Sequence, residues 1–298
     1  MPTFEPLHPR FGARVTDFDL RGDLDDETFA ALRQGFAEYS VLVFPDQPLS
    51  DEEHIAFSRR LGPLEATKVG SYGAGTPLVI LSNVGEDGKV VPDAHKLNLV
   101  HKANSLWHSD SSFKPVAALA SMLSAKTVPP EGGETEYANM IAAWEDLPET
   151  TKAQIENRIA VHHFATSRNN TDKRLMTKAE YNELPPVEHP MVREIPETGK
   201  RALYVGSHAG AIIGMPDEDA QPLIAELIEF ATRPENVYTH KWSENDAVLW
   251  DNRAVVHRGR PFARDKHARV MIRTTIAGAG STDIVEAAQD TGAITLKR

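Results

Sequence analysis

NSLWHSDSSF, residues 104–113, is the stretch on which the reading of this chain turns. As an extended segment it sends alternate side chains to opposite faces. Leu106, His108, Asp110 and Ser112 then share one face, and Trp107, Ser109, Ser111 and Phe113 the other. An imidazole and a carboxylate aimed at one point need a common partner, because an ionised Asp buried alone is costly. A metal ion is such a partner. The same His-x-Asp spacing also serves an ordinary buried His–Asp hydrogen bond, so the motif by itself does not choose.

A second imidazole comes from WDNRAVVHRGR, residues 250–260, where an apolar run delivers His257 to a strand end. Two histidines and one carboxylate, with further positions open, form the ligand set of non-haem iron(II) oxygenases. The chain has no cysteine, which excludes disulfides, thiolate catalysis and thiolate ligation and leaves nitrogen and oxygen as metal donors. Of the twelve histidines, His8, His54, His95 and His267 stand in polar stretches that suit solvated side chains. His162 and His163 are adjacent and diverge in any regular structure.

The flanking sequence predicts short strands with interspersed helices. Phe29, Leu32 and Phe36 recur at helical spacing in DDETFAALRQGFAEY, and SVLVFP follows as a buried strand stopped by Pro45. Ser50 and Glu53 form a capping box that opens a helix ending at Gly62-Pro63. PLVILSNV, RALYVG, NVYTHKW, AVLWDN and RVMIRTTIAG read as strands. Helices are predicted from Met140 to about Asn157 and over PDEDAQPLIAELIEFATR. FATSRNNTDKRLMTKAEYNELPP is polar and poorly patterned, a lid or insert around residues 163–186. No repeat, low-complexity tract or flexible linker divides the chain, so residues 1–298 are expected to form one domain. Its predicted class is mainly β with helical insertions (α+β), a jelly roll of two sheets.

PLHPRFGARVTDFDLR, SVLVFPDQPLS, IAFSRRLGPLE, NSLWHSDSSF, SMLSAKTVPPEGGETEY, LYVGSHAGAIIGMP and WDNRAVVHRGR resemble, in the same order, segments of the taurine dioxygenase group of iron(II)/2-oxoglutarate oxygenases. Within that group the resemblance is strongest to the 2,4-dichlorophenoxyacetate (aryloxyalkanoate) dioxygenases, and it spans nearly the whole chain. It implies a cupin-like double-stranded β-helix, with Fe(II), 2-oxoglutarate and O2 as cofactor and cosubstrates. It also implies His108, Asp110 and His257 as iron ligands, and Thr135 with Arg269 as the partners of the distal 2-oxoglutarate carboxylate. A guanidinium fork and a hydroxyl suit that task. Arg273 shares a strand face with Arg269, because their spacing is even, and a second inward cation points to an acidic primary substrate; the resemblance implies a small acidic aromatic substrate. His208 in GSHAG and Lys68 in ATKVG are further substrate-binding candidates. The loop after Lys68, VGSYGAGTP, departs from the herbicide-degrading enzymes and bears on ring preference. Two rival readings stand: an oxygenase of another organic acid (sulfonate, sulfate ester or natural aryl acid), and a cupin-like metal- or ligand-binding protein without turnover.

Bulk composition narrows the setting. With 298 residues, 41% hydrophobic and 25% charged, the chain reads as globular and long enough to bury a large core. A net charge of −11 argues against nucleic acid and anionic membranes as partners. No apolar run approaches the ~18 residues of a membrane span, and the first residues lack a secretory pattern. Cytoplasmic residence is the expectation, and a homo-oligomer is compatible with the sequence.

Overall fold

Alternation of buried side chains along short strands builds the scaffold, seen in a computed structural model that describes residues 1–67, 74–85, 87–92, 102–169, 181 and 184–285. The strands are β1 (Thr3–Pro6), β2 (Ala13–Thr16), β3 (Val41–Phe44), β4 (Leu64–Glu65), β5 (Leu78–Ser82), β6 (Ala120–Thr127), β7 (Thr135–Asn139), β8 (Ile159–His162) and β9 (Val187–Pro190). They continue with β10 (Val192–Ile195), β11 (Lys200–Leu203), β12 (Ala209–Ile212), β13 (Val237–His240), β14 (Ala247–Asp251), β15 (Val255–Gly259), β16 (Val270–Ile276) and β17 (Ile284–Val285). The helices are α1 (Asp26–Tyr39), α2 (Asp51–Leu61), α3 (Met140–Asp146), α4 (Glu149–Ile155), α5 (Phe164–Asn169) and α6 (Asp217–Ala231).

One large sheet runs β1-β2-β3-β14-β6-β16-β4-β17, with β5 also paired to β16, and a smaller sheet runs β13-β7-β15. The two sheets enclose a shared apolar layer: Val41, Val43, Leu123, Val248, Trp250 and Met271 meet Tyr137 and Val255. The alternate residues Leu42, Phe44, Met122, Leu249 and Ile272 turn outward to the face covered by α1 and α2, among them Phe29, Leu32 and Phe57. Two-residue periodicity therefore sorts one strand into two cores. On the far side of the small sheet, Ala138 and Val256 pack with α3, α6 and the β8–β12 region. The predicted jelly roll is present.

Local chemistry sets the boundaries. Ser50 accepts from Glu53 N, and the Glu53 carboxylate accepts from Ser50 N at 2.7 Å, the reciprocal cap read from the sequence. Between β6 and β7 the chain passes Gly132 and Gly133 at φ +74° and +73°, where a Cβ on Gly132 would lie 2.5 Å from Pro261 O. Only glycine fits there.

Four expectations change. NSLWHSDSSF is not a strand: His108 alone forms an antiparallel bridge, to His257, and the chain then turns, with Ser111 at φ +54°. The helix foreseen from Met140 to Asn157 is two helices, because Pro148 cannot donate a backbone bond and instead precedes α4 as its N-cap. His257 lies within β15, not at a strand end. His54, read as solvated, is wholly buried, with its ring nitrogens on Ser124 Oγ (3.3 Å) and Thr274 Oγ1 (3.1 Å). Lys68, His95 and most of the loop after Lys68 lie outside the described residues, as do 170–180, 182 and 183 of the expected lid. No helix among the described residues is long and apolar enough to cross a membrane.

Burial, with Lys126 nearby, lowers His54 to about 3. Burial beside His189 and Arg193 lowers His162 to about 3 as well. An unfolded imidazole titrates near ~6.5. Below that pH the unfolded chain takes up protons that the folded chain refuses. Stability is thus full above about pH 6.5 and falls as pH drops toward about 3, by up to ~1.4 kcal/mol per pH unit for each such histidine. Thermal unfolding of His54→Gln should lose stability less steeply than the parent between about pH 6.5 and 4.5; equal slopes would contradict the burial of a neutral His54.

Candidate active site

His108 and His257 face each other because their backbones are paired: His108 N donates to His257 O at 3.0 Å and His257 N to His108 O at 2.8 Å. Their ring centroids are 4.2 Å apart. His108 Nδ1–H donates to Leu106 O at 2.7 Å, which fixes the tautomer and leaves Nε2 as a lone-pair donor. The His257 ring sits 4.7 Å from that of Trp250, and its Nε2 lies 3.8 Å from Asp110 Oδ2. One ligand atom each from His108, Asp110 and His257 falls within 4.8 Å of the others, and all three residues are buried. The convergence inferred from a strand survives, although a bridge and a turn produce it.

Asp110 is held on every side. Ser121 Oγ donates to Oδ2 at 2.7 Å, and Arg273 Nη1 donates to Oδ1 at 2.5 Å. The Asn252 side chain ties this arrangement together. Its Oδ1 accepts from Asp110 N (3.1 Å) and Trp250 Nε1 (3.0 Å), while its Nδ2 donates to Ser121 Oγ (2.9 Å). Burial alone would raise the Asp110 carboxyl, but Arg273, the two imidazoles and Ser121 together hold it well below the usual carboxylate range. Burial lowers both His108 and His257. At neutral pH the trio is therefore two neutral imidazoles and one carboxylate, the protonation states that bind metal. Two nitrogens and one oxygen with no sulfur match iron(II), and the residues fit the ion.

A cleft of about 550 Å³ opens beside the trio, lined among others by Thr135, Trp250, Arg264, Arg269 and Arg273. Arg269, only 7% exposed, has no carboxylate partner among the described residues; its Nε donates to Gly133 O at 3.3 Å. Burial, with Arg264 nearby, pushes its guanidinium down to about 10, so it stays charged at neutral pH. A Cβ on Gly133 would come within 3.2 Å of Arg269 Nε, so that glycine makes room for the guanidinium. Arg273 shares the cleft, as the even spacing predicts. β16 stays regular because the register shift falls on β6, where Lys126 is the extra residue between the partners of Val270 and Met271. Arg273 Nε is buried and has no hydrogen-bond partner among the described residues.

His208 stands on another side of His108, rings 6.2 Å apart, against Phe113 at 5.0 Å and Phe164 at 6.4 Å. Ser112 Oγ contacts its Nδ1 at 3.0 Å. Sequence reasoning brought together His108, Asp110, His257, Thr135, Arg269, Arg273 and His208. It missed Ser121 and Asn252, which orient Asp110. A serine inside the apolar run ALASMLSA was the one available signal.

The family described as taurine catabolism dioxygenase TauD, TfdA family matches residues 3–275. The chain belongs to this family. It is accordingly an iron(II)- and 2-oxoglutarate-dependent dioxygenase, an oxidoreductase. It is 41% identical over 279 residues, 92% of this chain and 97% of the other, to an alpha-ketoglutarate-dependent 2,4-dichlorophenoxyacetate dioxygenase of Cupriavidus pinatubonensis. It is 38% identical over 289 residues, 93% of this chain and 96% of the other, to an (S)-phenoxypropionate/alpha-ketoglutarate-dioxygenase of Sphingobium herbicidovorans. Among solved structures, AAD-2 in complex with Mn(II) and N-oxalylglycine superposes with a TM-score of 0.87 at 38% identity, covering 95% of this chain and 98% of that one.

Removing the Asn252 side-chain amide should loosen Asp110 without removing a ligand. Asn252→Ala is expected to weaken metal binding by about 10–100-fold, read by Mn(II) titration, with the folded state retained. Unchanged affinity would show that Asp110 needs no such support.

Proposed function

We propose that this dioxygenase hydroxylates aryloxyacetates, such as 2,4-dichlorophenoxyacetate, at the carbon between the ether oxygen and the carboxylate. The observation that carries this reading is Arg269 and Arg273 in the cleft, the first without a carboxylate partner among the described residues and the second with a spare buried N–H. The two relatives named above supply the aromatic half of the argument, since both are named for phenoxy acid substrates.

Held by His108, Asp110 and His257, iron(II) supplies the oxidative chemistry, in which O2 and 2-oxoglutarate become a substrate hydroxyl, succinate and carbon dioxide. The protein binds, orients and excludes water. Arg269 and the Thr135 hydroxyl take the distal carboxylate of 2-oxoglutarate. Arg273 has five N–H donors in a fixed fork, enough to keep Asp110 and accept a substrate carboxylate together. Arg260 and Arg264 line the cleft as well, so with a divalent ion bound the site carries an excess of positive charge that a dianionic cosubstrate and an anionic substrate offset. Phe113, Phe164 and His208 offer an aromatic wall near His108 for the ring. Lys68 remains a further candidate for the substrate carboxylate. Hydroxylation gives a hemiacetal; its O–H proton passes to the departing aryl oxygen as the carbon–oxygen bond breaks, leaving a phenol and glyoxylate.

Iron-loaded protein given 2,4-dichlorophenoxyacetate should form phenol, glyoxylate and succinate in equal amounts. Succinate without phenol, coupled to sulfite from sulfonates or sulfate from sulfate esters, would move the protein to another organic acid. Absence of succinate with every acid would leave a binding protein.

The two arginines should separate kinetically. Breaking a charge pair of this kind costs about 2–5 kcal/mol, roughly 30-fold or more in affinity. Arg269→Ala should raise KM for 2-oxoglutarate by that factor. Arg273→Gln, at saturating iron, should raise KM for the aryloxyacetate and lower kcat while leaving KM for 2-oxoglutarate in place. The opposite split would exchange their roles.

A further inference from the structure

The Thr135 hydroxyl has a partner that the sequence does not announce. Trp242 Nε1 donates to Thr135 Oγ1 at 3.0 Å, and both groups are buried. An indole N–H only donates, so Thr135 Oγ1 is the acceptor in this bond and its own hydrogen must go elsewhere. No described residue accepts it. The cleft that Thr135 lines with Arg269 is where an acceptor would sit.

Trp242 is itself braced. It follows β13, whose last residue, His240, is the register partner of Thr135 on β7. The His240 ring meets the Trp242 ring edge-on at 4.5 Å, and His240 Nε2 lies 3.2 Å from Asp246 Oδ2. The same Asp246 oxygen accepts from Ser243 N at 3.0 Å, which closes the turn after Trp242. Asn245 and Asp246 then exchange backbone bonds of 2.9 Å with Ala125 of β6. The indole is thus fixed to both sheets, and it joins the same apolar layer as Tyr137, Trp250 and Met271.

We propose that Trp242 is a positioning residue for the cosubstrate: its indole N–H occupies a lone pair of Thr135 and turns the Thr135 hydroxyl into a donor aimed at the distal carboxylate beside Arg269. This rests on the reading of Thr135 as a carboxylate partner. A free hydroxyl can donate or accept and can rotate away. One already accepting from a rigid indole greets an incoming carboxylate, an acceptor-only group, with its hydrogen in place. The preference is set before binding, so the effect belongs to affinity for the dicarboxylate and leaves the aryl acid untouched.

The test is equilibrium binding of N-oxalylglycine to Mn(II)-loaded full-length protein, which reads the dicarboxylate without turnover. Trp242→Phe keeps most of the ring and removes the N–H. It should weaken binding by about three- to tenfold, the range for one hydrogen bond, with Mn(II) affinity unchanged. Thr135→Val should weaken it at least as much. Trp242→Phe should then add nothing in the Thr135→Val background but keep its full effect in the Thr135→Ser background, where the hydroxyl remains. A Trp242→Phe effect of equal size on Thr135→Val would overturn the proposal, because the indole would then act through packing. So would unchanged binding in Trp242→Phe when Thr135→Val is weakened. If Thr135→Val itself binds normally, Thr135 is not a carboxylate partner and both the reading and the proposal fall.

Discussion

A carboxylate buried between two sheets is the constraint on which the site depends. Asp110 is 5% exposed and ionised, and an isolated charge at that depth would destabilise the fold. Each element that reaches the cleft contributes to compensating it. β16 brings Arg273, β6 brings Ser121, β15 brings His257, and the turn after β14 brings Asn252. The jelly roll places these strand faces around one interior, and the bridge between His108 and His257 attaches the arm that carries Asp110. A metal at this point would take its place among groups already arranged around a negative charge.

That arrangement also equips the cleft to take anions. Arg269 and Arg273 share one regular strand and one space, yet among the described residues Arg273 has a carboxylate partner and Arg269 has none. Trp250 and Leu123 also line the cleft, and apolar neighbours strengthen a guanidinium–carboxylate contact relative to one at the surface. Under the proposed function, charge would set the class of molecule admitted and the aromatic residues around His208 would sort within it.

Much of this was legible in the sequence because it depends on periodicity and spacing. The short apolar strands SVLVFP and AVLWDN, the Ser50 cap and the even spacing of Arg269 and Arg273 all follow from local sequence, and the structure keeps them. His108 and Asp110 converge as expected, but for a different reason: the chain turns at Ser111 in a left-handed conformation that nothing in SDSSF specifies. His54 was misread because EEH on the surface of α2 looks polar, whereas its burial depends on Ser124 and Thr274, which are 70 and 220 residues distant. Asn252 and Trp242 were invisible for the same reason. Their side chains bond residues more than 100 positions away along the chain, and contacts at that range have no local signature.

The most direct measurement is a crystal structure of the protein with Mn(II) and N-oxalylglycine. The account predicts the ion on His108, Asp110 and His257, the remote carboxylate of the ligand on Arg269 and Thr135, and Arg273 still touching Asp110 with its free side toward the substrate space. An ion bound elsewhere, or a remote carboxylate seated on Arg273, would contradict it.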